Sequence, residues 1–183
     1  MTGALLLPIE TERLCLRDFG WADIDDLHSY ASLEEATRYL LWGPNDRQES
    51  EIQLSTFVDA AVELPRTIYE LALILRDDGR LIGALCLYLD DPAKDAKQGA
   101  ELGFVLHPDF WGQGIATEAA KALLTHGMSE LGLAHIWATC DTRNLASVCV
   151  LEKIGMARAG TIQGTRQTVD GLVDEYRYVF PVP

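Results

Sequence analysis

The stretch between Glu101 and Ala119 carries the residue types best suited to chemistry. Within it, glycines at 112 and 114 follow an apolar run that ends at Leu106 and precede an amphipathic segment. Glycine lets main-chain N–H groups approach a ligand closely, and the start of a helix adds amides without partners and a partial positive charge. The stretch therefore predicts a cradle for a pyrophosphate group, built from backbone rather than from Lys or Arg.

Two nucleotide-binding motifs compete with this interpretation, as does an ordinary turn. A Walker loop needs Gly-Lys-Ser or Gly-Lys-Thr, which this sequence does not contain. A dinucleotide-binding loop needs a third glycine, where this sequence has Thr117, and it follows an early strand of a parallel sheet. The strands before this loop look antiparallel, so a turn or a pyrophosphate cradle is favoured over a nicotinamide enzyme.

An acidic residue, Glu101, interrupts the apolar run that precedes the loop. A carboxylate in such a strand is costly to bury unless it has a partner. Strand alternation places Glu101 on the same face as Gly103 and on the face opposite Leu102. A structural salt bridge and a place in a functional site both fit this pattern.

Asn144 and Ser147 form a second polar pair, at the start of a segment with helical periodicity. Asn is a favoured N-cap residue, and a small Ser in the first turn of a helix is common. From the residues alone, helix capping explains this pair better than a functional role does.

The composition indicates one globular domain with an acidic surface. The 183 residues suit a single domain, 1–183, and 48% hydrophobic with 23% charged residues is typical of a globular chain. The 28 acidic and 15 basic residues give a net charge of −13. This charge argues against nucleic acid and anionic membranes as partners and favours a cationic partner.

Cysteine and histidine spacing gives no sign of a metal site. The four cysteines form no Cys-x-x-Cys pair, and the four histidines share no ligand spacing. Reduced thiols, no metal and a cytoplasmic location are therefore expected. The first ten residues lack a basic residue, so no signal peptide is predicted, and no segment approaches the roughly 18 apolar residues of a membrane span.

Hydrophobic periodicity predicts a mixed α+β fold. Strands are predicted at residues 13–19, 68–75, 81–89, 100–106 and 135–140, with two more around Asp170 and Gly171. Helical spacing is predicted at 23–30, at 32–41 with a capping box of Ser32 and Glu35, from 46 to before Pro65, at 114–131 and at 144–154. The turn at 77–80 predicts a hairpin, so this part of the sheet is expected to be antiparallel.

Several short motifs follow one another along nearly the whole chain. They are Glu10-Thr-Glu-Arg-Leu-Cys-Leu-Arg17, Gly79-Arg-Leu-Ile-Gly83, Ala100-Glu-Leu-Gly-Phe104, Trp111-Gly-Gln-Gly-Ile-Ala-Thr-Glu-Ala119, Asn144-Leu-Ala-Ser147 and Leu151-Glu-Lys-Ile-Gly155. Each motif is weak alone, but their order and spacing resemble the GNAT superfamily of acetyl-CoA-dependent N-acetyltransferases, specifically its RimJ/RimL-type branch. The resemblance implies a mostly antiparallel central sheet of six to seven strands flanked by helices.

The resemblance also implies a cofactor site. The superfamily's pyrophosphate motif begins with Arg or Gln, where this chain has Trp111, while Gly114 and Ala116 match it. Residues implied to bind acetyl-CoA are Phe104, Val105, Leu106, Trp111, Gly112, Gln113, Gly114, Ile115, Ala116, Thr117, Asn144 and Ser147.

The implied reaction is direct attack of a primary amine on the thioester, with a protein N-terminus, a polyamine or a small-molecule amine as acceptor. Glu101 would then attract the ammonium group and take its proton, directly or through water, and Ser147 would lie near the leaving sulfur. Trp21, Tyr39, Trp42 and Tyr69 are candidate walls of the acceptor pocket, although such aromatics are more often core residues. A monomer or homodimer is expected, and the alternative function is a non-catalytic acyl-CoA-binding regulatory module.

Overall fold

The computed structural model describes residues 4–91, 98–168 and 171–180 and contains an eight-stranded sheet. Its strands are β1 (Ile9–Glu10), β2 (Leu14–Asp18), β3 (Ile68–Leu75), β4 (Leu81–Leu89), β5 (Gly99–Leu106), β6 (His135–Asp141), β7 (Ala157–Thr168) and β8 (Gly171–Phe180). They lie in the order β1-β2-β3-β4-β5-β6-β8-β7, and each neighbouring pair is antiparallel except β5 with β6. The predicted mixed, mostly antiparallel sheet is confirmed; Asp170 of the last predicted turn lies outside the described residues.

Helices cover both faces of this sheet. They are α1 (Ile24–Ala31), α2 (Glu34–Thr37), α3 (Arg47–Val62), α4 (Ile115–Glu130) and α5 (Leu145–Lys153). Helices α1 and α3 pack on one face of β3 and β4, while α4 packs against β4, β5 and β6. In the described part of the chain, no helix combines the length and the apolar composition that crossing a membrane requires.

Strand alternation decides which side chains reach each layer. Tyr69 and Leu71 of β3 lie in the buried cluster that includes α4, whereas Ala72 lies in the cluster that includes α1 and α3. On β5, Leu102 lies in the α4 cluster and Val105 packs against the α1/α3 cluster. Glu101 and Gly103 therefore belong to the α1/α3 face, as the alternation predicts.

The sheet has one strand more than the predicted six to seven. The additional strand, β1, has two residues, Ile9 and Glu10, which pair with Leu16 and Cys15 of β2. Two residues are too few to show an alternating pattern, so the sequence gives no signal for this strand.

The helix start predicted at residue 46 is confirmed. Asp46 Oδ1 accepts a hydrogen bond from the Glu49 amide, and Glu49 Oε2 accepts one from the Asp46 amide, both at 2.8 Å. The capping box predicted at Ser32 is wrong, because the Ser32 amide bonds to the His28 carbonyl at 3.1 Å and ends α1. The next helix, α2, consequently begins later, after Leu33, and is only four residues long.

Candidate active site

The sheet opens between β5 and β6. These parallel strands pair through Gly99–Glu101 and His135–Trp137. Beyond this point β5 follows β4 as far as Leu106, while β6 follows β8 to Asp141. Since each strand keeps to a different neighbour, the two diverge and line a cavity of about 1010 Å³.

The loop after β5 closes one end of this cavity. Gly112 has φ 73° and Gly114 has φ 75°, both in the left-handed region that favours glycine. The indole Nε1 of Trp111 donates a hydrogen bond to the carbonyl of Leu106 at 2.8 Å. Trp111 therefore ties the loop to the end of β5 through a neutral hydrogen bond.

Helix α4 begins directly after this loop, with Gly114 as its N-cap. Its first helical hydrogen bond returns to the carbonyl of Gly114 at 3.0 Å, so the N–H groups of Ile115, Ala116 and Thr117 have no acceptor within the helix. These residues line the cavity together with Gly112. Amides of this kind, at the positive end of a helix, fit the diphosphate of acetyl-CoA.

Gln113 is turned away from the cavity. Its side-chain Nε2 donates to the carbonyl of Asp109, and its own carbonyl accepts from Arg13 Nη1, both at 3.0 Å. The other residues predicted to bind the cofactor do line the cavity, among them Phe104, Val105 and Leu106 of the open strand edge.

Arg13 and Glu118 fasten the loop and α4 to the start of β2, a contact that sequence reasoning missed. Arg13 Nε lies 2.7 Å from Glu118 Oε2, and Glu118 Oε1 accepts from the Thr11 hydroxyl at 2.6 Å and from the Arg13 amide at 3.0 Å. Burial raises the pKa of Glu118, but these hydrogen bonds outweigh it and hold the pKa below its ordinary value. Both residues lie in motifs already quoted, yet nothing in a single sequence pairs positions so far apart.

This contact makes stability depend on acidic pH. A carboxyl group with a depressed folded-state pKa stabilises the fold above its unfolded pKa, ordinarily 4.5 for Glu118, and loses that contribution as the pH falls through the folded value. We expect Glu118→Gln to reduce the free energy of unfolding by about 1 kcal/mol or less at pH 7 and to flatten its fall below pH 4.5. Urea unfolding across this pH range measures both, with Glu34→Gln on an exposed helix surface as control. An unchanged pH slope in Glu118→Gln would contradict the assignment.

Glu101 stands at the point where β5 and β6 diverge and lines the cavity. The Thr139 hydroxyl of β6 donates to Glu101 Oε1 at 3.5 Å across the opening. On the other side, Tyr88 of β4 is directly opposite Glu101 in the register. The carboxylate is thus half-buried in a polar wall rather than in the core.

Asn144 and Ser147 also line the cavity, at the start of α5. Asn144 Oδ1 accepts a hydrogen bond from the Ser147 amide at 3.1 Å, so the predicted helix cap is confirmed. The cap uses the main chain of Ser147, and the Ser147 hydroxyl takes no part in it.

Two of the four aromatic candidates reach the cavity. Tyr39 and Trp42 line it. The expectation is wrong for Tyr69, whose ring is buried in the α4 cluster because alternation directs it away from the α1/α3 face. It is also wrong for Trp21, which is absent from the described lining residues and lies 61% exposed in a short 3-10 helix.

A buried acid and a phenol on the same wall were missed by sequence reasoning. Glu70 of β3 is only 7% exposed, and the Tyr88 hydroxyl donates a hydrogen bond to Glu70 Oε1. Burial raises the pKa of Glu70 to about 7, against the opposing effect of the Tyr88 hydrogen bond. Glu70 interrupts an apolar strand just as Glu101 does, so the same signal could have identified it.

The cavity has an acidic lining. Its carboxyl groups are Glu35, Glu70, Glu101, Asp141 and Glu175, and its basic groups are Arg143 and Lys153. Arg143 is bound to the buried Asp141, with Nε and Nη2 at 2.9 and 2.7 Å from its two oxygens. A neighbouring cavity of about 400 Å³ shares Tyr88 and Glu101 and adds Asp90, Asp91, His135 and Arg177. Within the described residues, no cluster of three or more His, Cys, Asp or Glu side chains is arranged to hold a metal ion.

Comparison with known proteins extends this picture. The acetyltransferase (GNAT) domain family matches residues 13–157. The uncharacterized N-acetyltransferase YnaD of Bacillus subtilis is 31% identical over 171 residues, which cover 93% of this chain and 94% of that protein. A GNAT-family acetyltransferase from Bacillus anthracis superimposes with a TM-score of 0.82 at 27% identity, covering 96% of this chain and 98% of the other.

The fold is also similar to that of a solved structure with lower sequence identity. RimL, a ribosomal L7/L12 alpha-N-protein acetyltransferase whose structure was solved in complex with coenzyme A, superimposes with a TM-score of 0.83 at 19% identity, covering 96% of this chain and 98% of the other. The family match spans the loop, the start of α4 and the opened strands. The chain therefore belongs to the GNAT acetyltransferase family and is an acetyl-CoA-dependent N-acetyltransferase.

Proposed function

We propose that this enzyme transfers the acetyl group of acetyl-CoA to a positively charged primary amine, which attacks the thioester directly. One observation carries the proposal. A single cavity is lined by the amides at the start of α4, by the open edge of β5 and by the carboxylate of Glu101. Donors for an anionic cofactor and a carboxylate for a cationic acceptor thus face the same space.

In this proposal acetyl-CoA lies between β5 and β6. Gly112, Gly114 and the first amides of α4 hold its diphosphate, because they present main-chain donors without a side chain in the way. The arm of the cofactor then runs along Phe104–Leu106, whose edge beyond Glu101 has no pairing to β6. Asn144 and Ser147 flank the arm from α5.

The acceptor approaches on the acidic α1/α3 face. An amine is mostly protonated at neutral pH, so its ammonium group is attracted to a carboxylate lining the site. Glu101 is the carboxylate placed at the divergence of the strands, and Glu35 and Glu175 line the same cavity. The net charge of −13 supports a cationic acceptor rather than an anionic one.

The reaction then needs three events. The ammonium group loses a proton, the free amine forms a C–N bond with the acetyl carbon, and the C–S bond breaks as coenzyme A leaves. Backbone N–H groups of β5 stabilise the charge on the carbonyl oxygen, and the Ser147 hydroxyl donates to the departing sulfur. Alignment of both substrates supplies a large part of the rate acceleration.

An acceptor screen tests the proposal. Wild-type enzyme with acetyl-CoA and a panel of spermidine, peptides beginning with Ala or Ser, and aminoglycosides is expected to release free thiol with at least one amine. Succinate and acetylated peptides, which offer no primary amine, serve as controls and are expected to give the background rate. Thiol release without any acetylated amine would contradict the proposal.

The roles of Glu101 and Ser147 can be separated kinetically. Glu101→Gln is expected to lower kcat/KM about tenfold, mainly through a higher KM, since the ammonium loses its charged partner. Ser147→Ala is expected to lower kcat/KM about tenfold through kcat, because the thiolate loses a donor. Each tenfold change corresponds to about 1.4 kcal/mol of transition-state stabilisation.

One finding would count against these assignments. If both variants stay within about threefold of wild type, or about 0.7 kcal/mol, neither residue has its proposed role. Glu34→Gln, an exposed carboxylate, controls for the loss of one negative charge.

The family branch, domain extent, location and assembly state of the protein are also proposals. We propose on the motif resemblance that the chain belongs to the RimJ/RimL-type branch; the likeness to RimL, at 19% identity, concerns the fold. Residues 1–183 are proposed to form one catalytic domain, cytoplasmic in location and active as a monomer or homodimer. Gel filtration with light scattering distinguishes the two assembly states.

A further inference from the structure

Glu70 is a buried carboxyl group that the mechanism above does not use. It lies on β3, between β2 and β4, and is 7% exposed. Removing a carboxyl group from water is costly, and such groups in a cleft are frequent at functional sites. Its position on the cavity wall gives it access to the acceptor side.

The sheet register places Glu70, Tyr88 and Glu101 together. Tyr88 of β4 is paired with Glu101 of β5, and Glu70 is paired with Cys86, two residues before Tyr88. Residues two apart on a strand share a face, so all three polar side chains emerge on the α1/α3 face. All three line the cavity, and Tyr88 is 38% exposed.

Gly103 leaves room for this cluster. It is paired with Cys86, and a Cβ on Gly103 would come within 2.7 Å of the Cys86 sulfur. Electrostatic effects of both Glu70 and Glu101 raise the pKa of the Cys86 thiol, after the larger effect of burial. The two carboxyl groups therefore flank one thiol, with Tyr88 at the cavity side.

We propose that Tyr88 accepts the proton of the acceptor ammonium group while passing its own phenolic proton to Glu70. This inference rests on the proposed function and assigns its proton transfer. Glu101 holds the ammonium group, Tyr88 contacts it, and Glu70 is the proton acceptor that acts through Tyr88. A phenol can donate one hydrogen bond and accept another at the same time, as this relay requires.

The proton and bond changes balance. The ammonium N–H bond breaks as a phenol O–H bond forms, and the original phenol proton moves to the Glu70 carboxylate. The resulting neutral amine attacks the acetyl carbon, the C–S bond breaks, and the second nitrogen proton neutralises the thiolate. Glu70 afterwards returns its proton to water through Tyr88.

The surroundings of Glu70 favour this exchange near neutral pH. Burial brings the pKa of Glu70 to about 7, so the group can take up and release a proton there. Tyr88 and Cys86 face it from β4, and Tyr30 faces it from α1, close enough for Glu70 to raise the pKa of the Tyr30 phenol beyond the effect of burial. The carboxylate of Asp23 also raises the pKa of the Tyr30 phenol. Asp23 itself forms an ion pair with Arg17 at 2.7 Å.

The pH dependence of kcat tests the relay, with spermidine as acceptor because its primary amines stay protonated through pH 7. Wild-type kcat is expected to rise with pH through about 7, since Glu70 must be deprotonated. Glu70→Gln is expected to lose this rise and to lower kcat about 30-fold. Tyr88→Phe is expected to lower kcat similarly, and the double variant no further, because the two act as one unit.

Control variants separate this role from a structural one. Glu101→Gln is expected to keep the rise through pH 7 while raising KM. Melting temperature and acetyl-CoA affinity of each variant show whether the fold and the cofactor site are intact. Should Glu70→Gln misfold, Tyr88→Phe still decides, because removing the phenol breaks the relay and is expected to abolish the rise in kcat through pH 7. A Tyr88→Phe enzyme that keeps this rise and a kcat within threefold would overturn the relay.

The outcomes are distinguishable. If the wild type does not acetylate spermidine but acetylates another amine of the panel, the same profiles are measured with that amine. If the wild type acetylates no amine, the proposed function fails and the relay fails with it. If the wild type is active and Glu70→Gln keeps both the pH dependence and a kcat within threefold, the relay is overturned while the proposed function stands.

Discussion

Replacing Gly114 with Val is expected to weaken acetyl-CoA binding by about 100-fold. Gly114 has φ 75°, and the left-handed conformation costs a residue with a Cβ roughly 1–2 kcal/mol, most for a β-branched one. A Cβ here would lie 3.8 Å from Arg13 Nη2, an ordinary contact, so crowding adds little. The loop is instead expected to change conformation and to misplace two amide–phosphate hydrogen bonds, worth about 1.5 kcal/mol each.

The other end of α4 offers a matched control. Gly132 has φ 66°, also in the left-handed region, and a Cβ there would meet nothing within 4 Å. Gly132→Val therefore introduces a similar backbone strain just after the end of the same helix, away from the loop. Calorimetric titration with acetyl-CoA is expected to give a weakened Kd for Gly114→Val only. Equal affinities in the two variants would show that Gly114 has no special place in the cofactor site.

Gly83→Ala is expected to lower the free energy of unfolding by about 3 kcal/mol. A Cβ at Gly83 would overlap the carbonyl oxygen of Val105 and lie 3.0 Å from the Cα of Leu106. Both are backbone atoms of the neighbouring strand, so the clash can be relieved only by moving β5. Forced overpacking of this kind lies at the upper end of the cost of small-to-large core substitutions.

Gly160→Ala is the control for this substitution. Gly160 lies in β7, and an added Cβ would meet nothing within 4 Å. Its effect on stability is expected to stay within about 0.5 kcal/mol. Urea unfolding of the two variants measures the difference, and a loss below about 1 kcal/mol for Gly83→Ala would contradict the close approach of β4 and β5.

Much of the fold was predictable because its signals are local. The hairpin of β3 and β4 follows from two apolar runs around Gly79, and the box at Asp46 and Glu49 marks the start of α3. The missed strand and the wrong helix start also have local causes. β1 is too short for a pattern, and the Ser32 amide is used to end α1 rather than to begin the next helix.

The site was predictable where one segment supplies it. The loop around Gly112 and Gly114 lies within a single motif, so its shape could be inferred from glycine conformations. Contacts between distant segments could not be predicted, because a pattern in one sequence does not show which positions on different elements lie together. Arg13 with Glu118 is one such contact, and Glu70 with Tyr88 is another.

The structure shows where some of the acidic side chains lie. The sequence alone shows only an excess of 13 negative charges. In the fold, carboxyl groups such as Glu70 and Glu101 line the cavity, while the loop at Gly114 offers backbone donors to the same space. This arrangement is the one that the proposed cationic acceptor would require beside an anionic cofactor.

The most direct test of acetyl transfer to an amine is the stoichiometry of one reaction mixture. Free thiol and acetylated amine are measured together, by a thiol reagent and by mass spectrometry, while wild-type enzyme turns over acetyl-CoA with the best amine of the panel. The account predicts one acetylated primary amine for each thiol released, and loss of both products in Gly114→Val at acetyl-CoA concentrations near the wild-type Kd. Tight binding of acetyl-CoA with neither product, for every amine tried, would contradict it and would favour an acyl-CoA-binding module.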